Sequence, residues 1–165
     1  MDFRLYNNSI DKDIDDWGKS NYSNYSEIVN KYALFGDNIS SINEWYKNHP
    51  GEISDIFDEI VVVLEKNEKL AVIVFNYFHD EDKNTVLGFN PIIVNPKCMH
   101  KGYGKRIIKE IIELKGKILN MKPTFLYAGI DDSNIACKKV FEQNGFKLVG
   151  NAPNDKSFLY YKFRI

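Results

Sequence analysis

Two β-branched runs, Ile60-Val61-Val62-Val63-Leu64 and Leu70-Ala71-Val72-Ile73-Val74-Phe75, flank the polar stretch Lys66-Asn67-Glu68-Lys69. So short a turn between two such runs leaves an antiparallel hairpin as the simplest arrangement. A second polar stretch, Asp80-Glu81-Asp82-Lys83-Asn84, leads into a third run over residues 85–94. The middle of the chain therefore reads as a three-stranded antiparallel meander. Pro91 lies inside the third run and has no N–H for a ladder, so a bulge or break is expected near Asn90-Pro91.

The flanking segments fill out a mixed α/β domain with one sheet. Residues 3–6 suit a short first strand. Tyr25, Ile28, Val29 and Tyr32 recur at helical spacing and Gly36 follows as a stop. Ser41-Ile42-Asn43-Glu44 has capping-box spacing and opens a second helix through Trp45 and Tyr46 that Pro50 ends. After the meander, residues 102–116 read as a helix with Ile107, Ile108, Ile111, Ile112 and Leu114 toward the sheet. Residues 125–130 read as a buried strand. Residues 134–144 follow as a helix capped by Asp132 or Ser133 and stopped by Gly145, and residues 146–149 and 158–163 as two last strands. The 165 residues suit one domain, which buries roughly 70% of its extended-chain surface without disulfide staples. Cys98 and Cys137 form no CxxC pair.

A net charge of −1 conceals an asymmetry: residues 1–60 sum to −7 and residues 61–165 to +6. Such a chain lacks the net basic footprint of a general nucleic-acid binder. It suits a cleft that takes an anionic ligand on one side and a cationic one on the other. The longest apolar run, residues 60–64, is far short of a membrane span. The start, Met1-Asp2-Phe3-Arg4, carries no basic segment followed by an apolar one, so a soluble, cytoplasmic protein is expected.

The densest chemical signal is Val94-Asn95-Pro96-Lys97-Cys98-Met99-His100-Lys101-Gly102-Tyr103-Gly104-Lys105-Arg106, where a strand runs out, a glycine-bearing loop follows and a helix starts. Glycine lets backbone N–H groups approach a phosphate closely, and a helix N-terminus adds its positive dipole end. Lys97, Lys101, Lys105, Arg106 and Lys109 supply five bases with no acid before Glu110, so a pyrophosphate or another polyanion is expected. A Walker A loop fails at Met99 and Arg106, and a dinucleotide fingerprint fails at Ile107.

The segment instead resembles the acyl-CoA loop of the GNAT superfamily of N-acetyltransferases, V-x-P-x-x-[QR]-x-x-G-x-[GA]. Val94, Pro96, Gly102 and Gly104 fall on required types, while Met99 departs from Gln/Arg. Downstream, Asn134-Ile135-Ala136-Cys137-Lys138-Lys139-Val140-Phe141-Glu142-Gln143-Asn144-Gly145-Phe146 resembles the family's N-x-x-[AS]-x-x-x-Y-x-x-x-G-F helix, with Cys137 in place of Ala/Ser and Phe141 in place of Tyr. The resemblance covers residues 60–165 well and residues 1–59 loosely.

It implies a single domain over residues 1–165, with residues 1–59 as a helical acceptor-side wall and residues 60–165 as the acyl-CoA-binding core. The implied fold is α/β (α+β): one mixed, mostly antiparallel sheet flanked by helices and splayed at the acyl-CoA site. Acetyl-CoA is the implied acyl donor, and no spacing of histidines, cysteines and carboxylates suggests a metal. The implied donor-binding residues are Ile92, Ile93, Val94, Met99, His100, Lys101, Gly102, Tyr103, Gly104, Lys105, Asn134 and Phe141. The strand backbone at Ile92, Ile93 and Val94 would bond the pantetheine amides, with Asn134 reaching them from the far side and Phe141 packing on the arm. A backbone N–H near Ile93 would polarise the thioester carbonyl.

The expected reaction is direct transfer of an acetyl group to a primary amine of a small cationic acceptor. Phe141 has no hydroxyl for the departing thiolate, so water, Tyr103, Tyr127, Tyr160 and Tyr161 remain open as proton sources. No general base stands out. His79 reads as a hairpin tip, His100 as a polar contact beside the loop and His49 as a helix end; Cys98 and Cys137 read as space-filling. Asp11, Asp13, Asp15, Asp16, Asp37 and Glu44 with Trp17, Tyr22, Trp45 and Tyr46 would supply an acidic, aromatic wall for the amine. Two rivals stay open: a non-catalytic acyl-CoA-binding or regulatory domain, which Phe141 and Met99 favour, and nucleic-acid binding through residues 97–109. Neither a membrane nor a nucleic acid is the expected partner. A homodimer through the terminal strands is an expectation by analogy with the family.

Overall fold

The structure is a computed structural model, and it describes residues 1–7, 9–17, 57–115, 117, 122–151 and 156–165. The two helices expected over residues 24–35 and 41–50 lie outside the described residues.

The meander forms as the apolar runs require. Strand β1 is Asp2–Leu5, β2 is Phe57–Glu65, β3 is Glu68–His79 and β4 is Thr85–Val94. The β2–β3 turn is tighter than the polar stretch suggests, because Glu68 and Lys69 already belong to β3. Only Lys66 and Asn67 turn, with φ of 51° and 65°, the pair of positive angles that matches the twist of flanking strands.

Helix α1 is Tyr103–Leu114, β5 Phe125–Asp131, α2 Ile135–Gln143, β6 Lys147–Asn151 and β7 Phe158–Arg164. The seven strands make one sheet in the order β1-β2-β3-β4-β5-β7-β6. Every neighbouring pair is antiparallel except β4–β5, which is parallel. This is the expected α/β class with a mixed, mostly antiparallel sheet.

Continuous apolar runs arise because the central strands are covered on both faces. Val61, Val63, Ala71, Ile73 and Phe75 join Ile107, Ile108, Ile111 and Phe141 in one core on the α1/α2 face. Ile60, Val62, Val72 and Val74 join Ile14, Trp17 and Ile93 in a second core on the opposite face. Helix α2 ends at Gly145, whose φ of 87° lets its N–H reach Glu142 O at 2.9 Å while Phe146 N–H reaches Phe141 O at 3.1 Å. That closure is a glycine C-terminal cap. A Cβ at position 145 would also press on the Phe163 ring at 3.3 Å.

Candidate active site

The site begins where β4 and β5 part. Their parallel pairing runs from Val86↔Phe125 to Phe89↔Ala128 and stops, although both strands continue. The cause lies at Asn90-Pro91. There the β3–β4 register steps from Phe75↔Phe89 to Ile73↔Ile92, so β4 carries one extra residue. A bulge bends the strand that carries it, and beyond it β4 leaves β5.

The bulge also decides which amides face the gap. Asn95 N–H bonds Leu70 O at 2.8 Å, and with Val72↔Ile93 paired the alternation of an antiparallel ladder turns the N–H and C=O of Ile93 toward β3. The Ile93 side chain is buried in the second core. The Ile93 N–H, where a carbonyl-polarising donor is expected from the sequence, is thus turned away from the gap, and it is Ile92 whose backbone groups face the open edge. Ile92 and Val94 turn their side chains to the first core.

The loop after β4 is held from beneath. The Asn95 side chain donates from Nδ2 to Lys69 O at 2.7 Å and accepts from Lys97 N–H at 3.0 Å. A 3₁₀ turn over Pro96–Cys98 follows. Cys98 is buried and its thiol points at Glu68 Oε1, 3.7 Å away. Burial and the Glu68 charge both push that thiol's pKa up. Met99 packs against the second core, which accounts for an apolar residue at the position where the family carries Gln or Arg. His100 is exposed and adopts φ 59°, Gly102 φ 78°. Lys101 Nζ folds back on Lys97 O at 2.8 Å.

Helix α1 opens at Tyr103, one residue before the second glycine, with no acid in its first turn. Its first amides point out of the helix without intrahelical acceptors, as at any helix start, and Lys105 is exposed beside them. Arg106, by contrast, is held by Glu65 at 2.6 Å and lies 5.2 Å from the centre of the Tyr103 ring. Truncating Asn95 to Ala is expected to raise the KM for acetyl-CoA about five- to tenfold with kcat within twofold, since two side-chain bonds of about 1 kcal/mol each are lost. Steady-state kinetics in acetyl-CoA reads that split, and Asn95→Asp, which keeps the acceptor oxygen, is expected to recover part of it.

On the other arm, the cap of α2 is Asn134 rather than Asp132 or Ser133: its Oδ1 accepts from Cys137 N–H at 3.0 Å. Asp132 pairs with Lys138 at 2.7 Å, and Ser133 bonds Asp131. The Asn134 oxygen being committed, its Nδ2 is the group left for a ligand. Phe141 is only 3% exposed and sits edge-on to Phe89 (5.6 Å) and Phe146 (4.9 Å). Its main role is to fill the base of the fork beneath the last β4–β5 pair. Phe141→Ala is expected to cost about 3–5 kcal/mol of unfolding free energy, measured by urea denaturation.

Among the tyrosines, Tyr161 is buried and donates to Glu142 Oε1 at 2.9 Å; burial, with the Glu142 bond, pushes its pKa up to about 12. Tyr127 is raised further, by burial and by the neighbouring Tyr160. Phenols so placed stay protonated and are donors. Cys137 is pushed up to about 12 by burial, which leaves it a thiol and a poor nucleophile. His79 is exposed, 6.2 Å from the Tyr77 ring, and His49 lies outside the described residues. Among the described residues no group of three metal-ligating side chains occurs.

The acidic wall is revised. Asp11 is fully buried and takes Arg4 Nη1 and Nη2 at 2.6 and 2.7 Å, Lys69 Nζ at 2.9 Å and Asn7 N–H at 2.8 Å. Asp13 pairs with the same Lys69, and Trp17 is 7% exposed within the second core. Asp11 and Trp17 hold the N-terminal segment against the sheet and are not offered to an acceptor, while Asp13 is exposed and engaged by Lys69. Asp15 and Asp16 lie in the 3₁₀ turn Lys12–Asp16; Tyr22, Asp37, Glu44, Trp45 and Tyr46 lie outside the described residues.

Two features escaped the sequence. One is an aromatic row on the face opposite α1 and α2: Tyr127 lies 4.8 Å from Tyr160 and 6.1 Å from Phe78. The other is Asp131, which closes β5 at 8% exposure. Its Oδ1 accepts from Ser133 N–H at 2.8 Å and from the Ser133 hydroxyl. Only the alternation of β5 residues hinted at either.

A strand that forks from its parallel neighbour just before a glycine loop and helix start belongs to a known class. The sequence matches the acetyltransferase (GNAT) family profile over residues 23–146, and the chain belongs to that family. With it goes the enzyme class, an acetyl-CoA-dependent N-acyltransferase with acetyl-CoA as acyl donor. No curated protein matches the sequence significantly. Solved structures share the fold. A chimera of the spermidine N-acetyltransferase SpeG from Vibrio cholerae with hSSAT aligns at TM-score 0.66 and 14% identity, over 99% of this chain and 96% of that one. A phosphinothricin N-acetyltransferase homologue aligns at 0.66 and 18%, over 99% and 98%. The Campylobacter jejuni N-acetyltransferase PseH, in complex with acetyl coenzyme A, aligns at 0.57 and 20%, over 98% of each chain. No helix among the described residues is long and apolar enough to cross a membrane.

Proposed function

We propose that this enzyme moves an acetyl group from acetyl-CoA directly onto a primary amine of a small, cationic acceptor. The observation that carries the reading is the fork beyond Phe89↔Ala128, which opens beside the α1 start. The pyrophosphate would sit on the amides of Tyr103, Gly104 and Lys105, with Lys101 and Lys105 at its edge and His100 beside them. The pantetheine would run between the arms, bonded to the backbone at Ile92 and Val94 and to Asn134 Nδ2. The Ile92 N–H would meet the thioester oxygen, where one well-placed donor contributes about 3–4 kcal/mol to the barrier. With Phe141 in place of a tyrosine, the thiolate would take its proton from water or from a neighbouring phenol. A spermidine N-acetyltransferase shares the fold, which supports an amine acceptor without naming it.

The test is calorimetric titration with acetyl-CoA, followed by thiol release on a panel of primary mono-, di- and polyamines. Micromolar binding and turnover on a cationic amine are expected. Binding without thiol release on any amine would discard the acceptor class.

A further inference from the structure

The described part of the molecule leaves one buried side-chain atom without a hydrogen-bond partner, Oδ2 of Asp131. A buried carboxylate oxygen left unpaired costs at least about 1–3 kcal/mol, so its retention asks for a reason. The other oxygen accepts from Ser133 N–H and hydroxyl, and Lys138 of α2 is taken by Asp132.

Its position supplies the reason. Asp131 and Ile92 each stand three residues beyond the last β4–β5 pair, Phe89↔Ala128, one on each arm of the fork. Leu126, Ala128 and Ile130 point into the α1/α2 core. By the alternation of a strand, Tyr127, Gly129 and Asp131 share the other face. There the Tyr160 ring lies over Gly129, close enough that a Cβ would meet it at 3.4 Å, beside Tyr127 and Phe78. The acyl donor's phosphates are drawn to the α1 start, on the helix face. An aromatic row that leads to a carboxylate on the opposite face suits an amine arriving from the other side.

We propose that Asp131 is a catalytic residue: Oδ2 accepts a hydrogen bond from the neutral acceptor amine and takes its proton during attack. As the N–C bond forms, the nitrogen proton passes to Oδ2. The C–S bond breaks with its electron pair on sulfur, the thiolate takes a proton from water, and the carboxyl returns its own to solvent. The inference rests on the amine-acetylating function proposed above.

Asp131→Asn keeps an oxygen for Ser133 and puts an amide donor where the amine needs an acceptor. Expected is a fall in kcat/KM for the best amine of at least about 100-fold, the scale of general-base catalysis, with acetyl-CoA affinity and unfolding temperature unchanged. Ser133→Ala is expected to keep turnover within a few fold. Undiminished turnover by Asp131→Asn would overturn the proposal, as would a matching loss in Ser133→Ala, which would make Asp131 a brace for the turn before α2. Should Asp131→Asn not fold, Asp131→Glu moves the carboxylate by one methylene and carries the same expectations. A wild type inactive on every amine removes the acceptor class and this inference together; an active wild type beside an equally active variant removes only this one.

Discussion

Gly104→Glu is expected to weaken acetyl-CoA binding by at least about 100-fold. The first turn of α1 offers outward N–H groups and carries no acid of its own, so a pyrophosphate there would gain charge-assisted bonds of about 1.5–3 kcal/mol each and a dipole contribution of up to about 2 kcal/mol. A glutamate at position 104 meets the same groups with its own carboxylate and repels the phosphates. Losing about 3 kcal/mol is a factor of more than 100 in Kd. Gly104→Ala separates space from charge. A Cβ at 104 would meet only Val94 Cγ2, at an ordinary 3.8 Å, so the protein itself accommodates it. Alanine in a helix is favoured over glycine by about 1 kcal/mol, so this variant is expected to unfold at a higher temperature. Calorimetry and a thermal melt read the two effects. Full affinity in Gly104→Glu would place the donor elsewhere.

A large, pH-dependent stability effect is expected at Asp11. Its carboxylate is fully buried and joins Arg4, Lys69 and the Asn7 N–H. Removing one partner of a buried ion pair costs about 3–5 kcal/mol. Arg4 and Lys69 keep some water contact, so Asp11→Ala is expected at the lower end, about 3 kcal/mol by urea unfolding. Burial acts to raise the Asp11 pKa, but the bonds from Arg4, Asn7 and Lys69 outweigh it and hold the group well below the usual carboxylate range. Because the folded pKa lies below the unfolded one, the contribution is complete above about pH 4 and fades as pH falls toward the folded value. Asp11→Asn is expected to flatten that acid-side loss. An unchanged unfolding free energy for Asp11→Ala would show the cluster to be idle.

Asp11 belongs to the acidic wall by sequence and to a buried ion cluster in the fold. In the sequence it belongs to an acid-rich stretch, and its partner Lys69 lies far along the chain. Charge composition does not separate a solvated carboxylate from one buried under two cations; only the β1–β2–β3 pairing brings Arg4 and Lys69 to it. The sheet itself was legible because residues 60–64 and 70–75 have few alternatives to strand, and Pro91 marked the bulge. What the bulge does to the amides was not legible, since one inserted residue reverses which edge each N–H faces, and Ile92 changes places with Ile93. For the α2 cap the sequence offers Asp132 or Ser133, and neither is the cap. Asp131 settled it by drawing Ser133 to itself, leaving Asn134 at the helix start. Nothing in the sequence singles out Asp131, because burial without a partner is a property of three dimensions.

The four residue pairs that join β4 to β5 are a short joint for strands of ten and seven residues. Among the described residues it is the one strand pairing that links β1–β4 to β5-β7-β6. Any rotation of β5-β7-β6 against β1–β4 would be magnified toward the ends of the arms, where Ile92 and Asp131 stand. Between those two residues and the rest of the sheet stand Phe89, Ala128 and the Phe141 ring packed against Phe89. Repacking at this joint is expected to change the spacing of Ile92 and Asp131 without altering either residue.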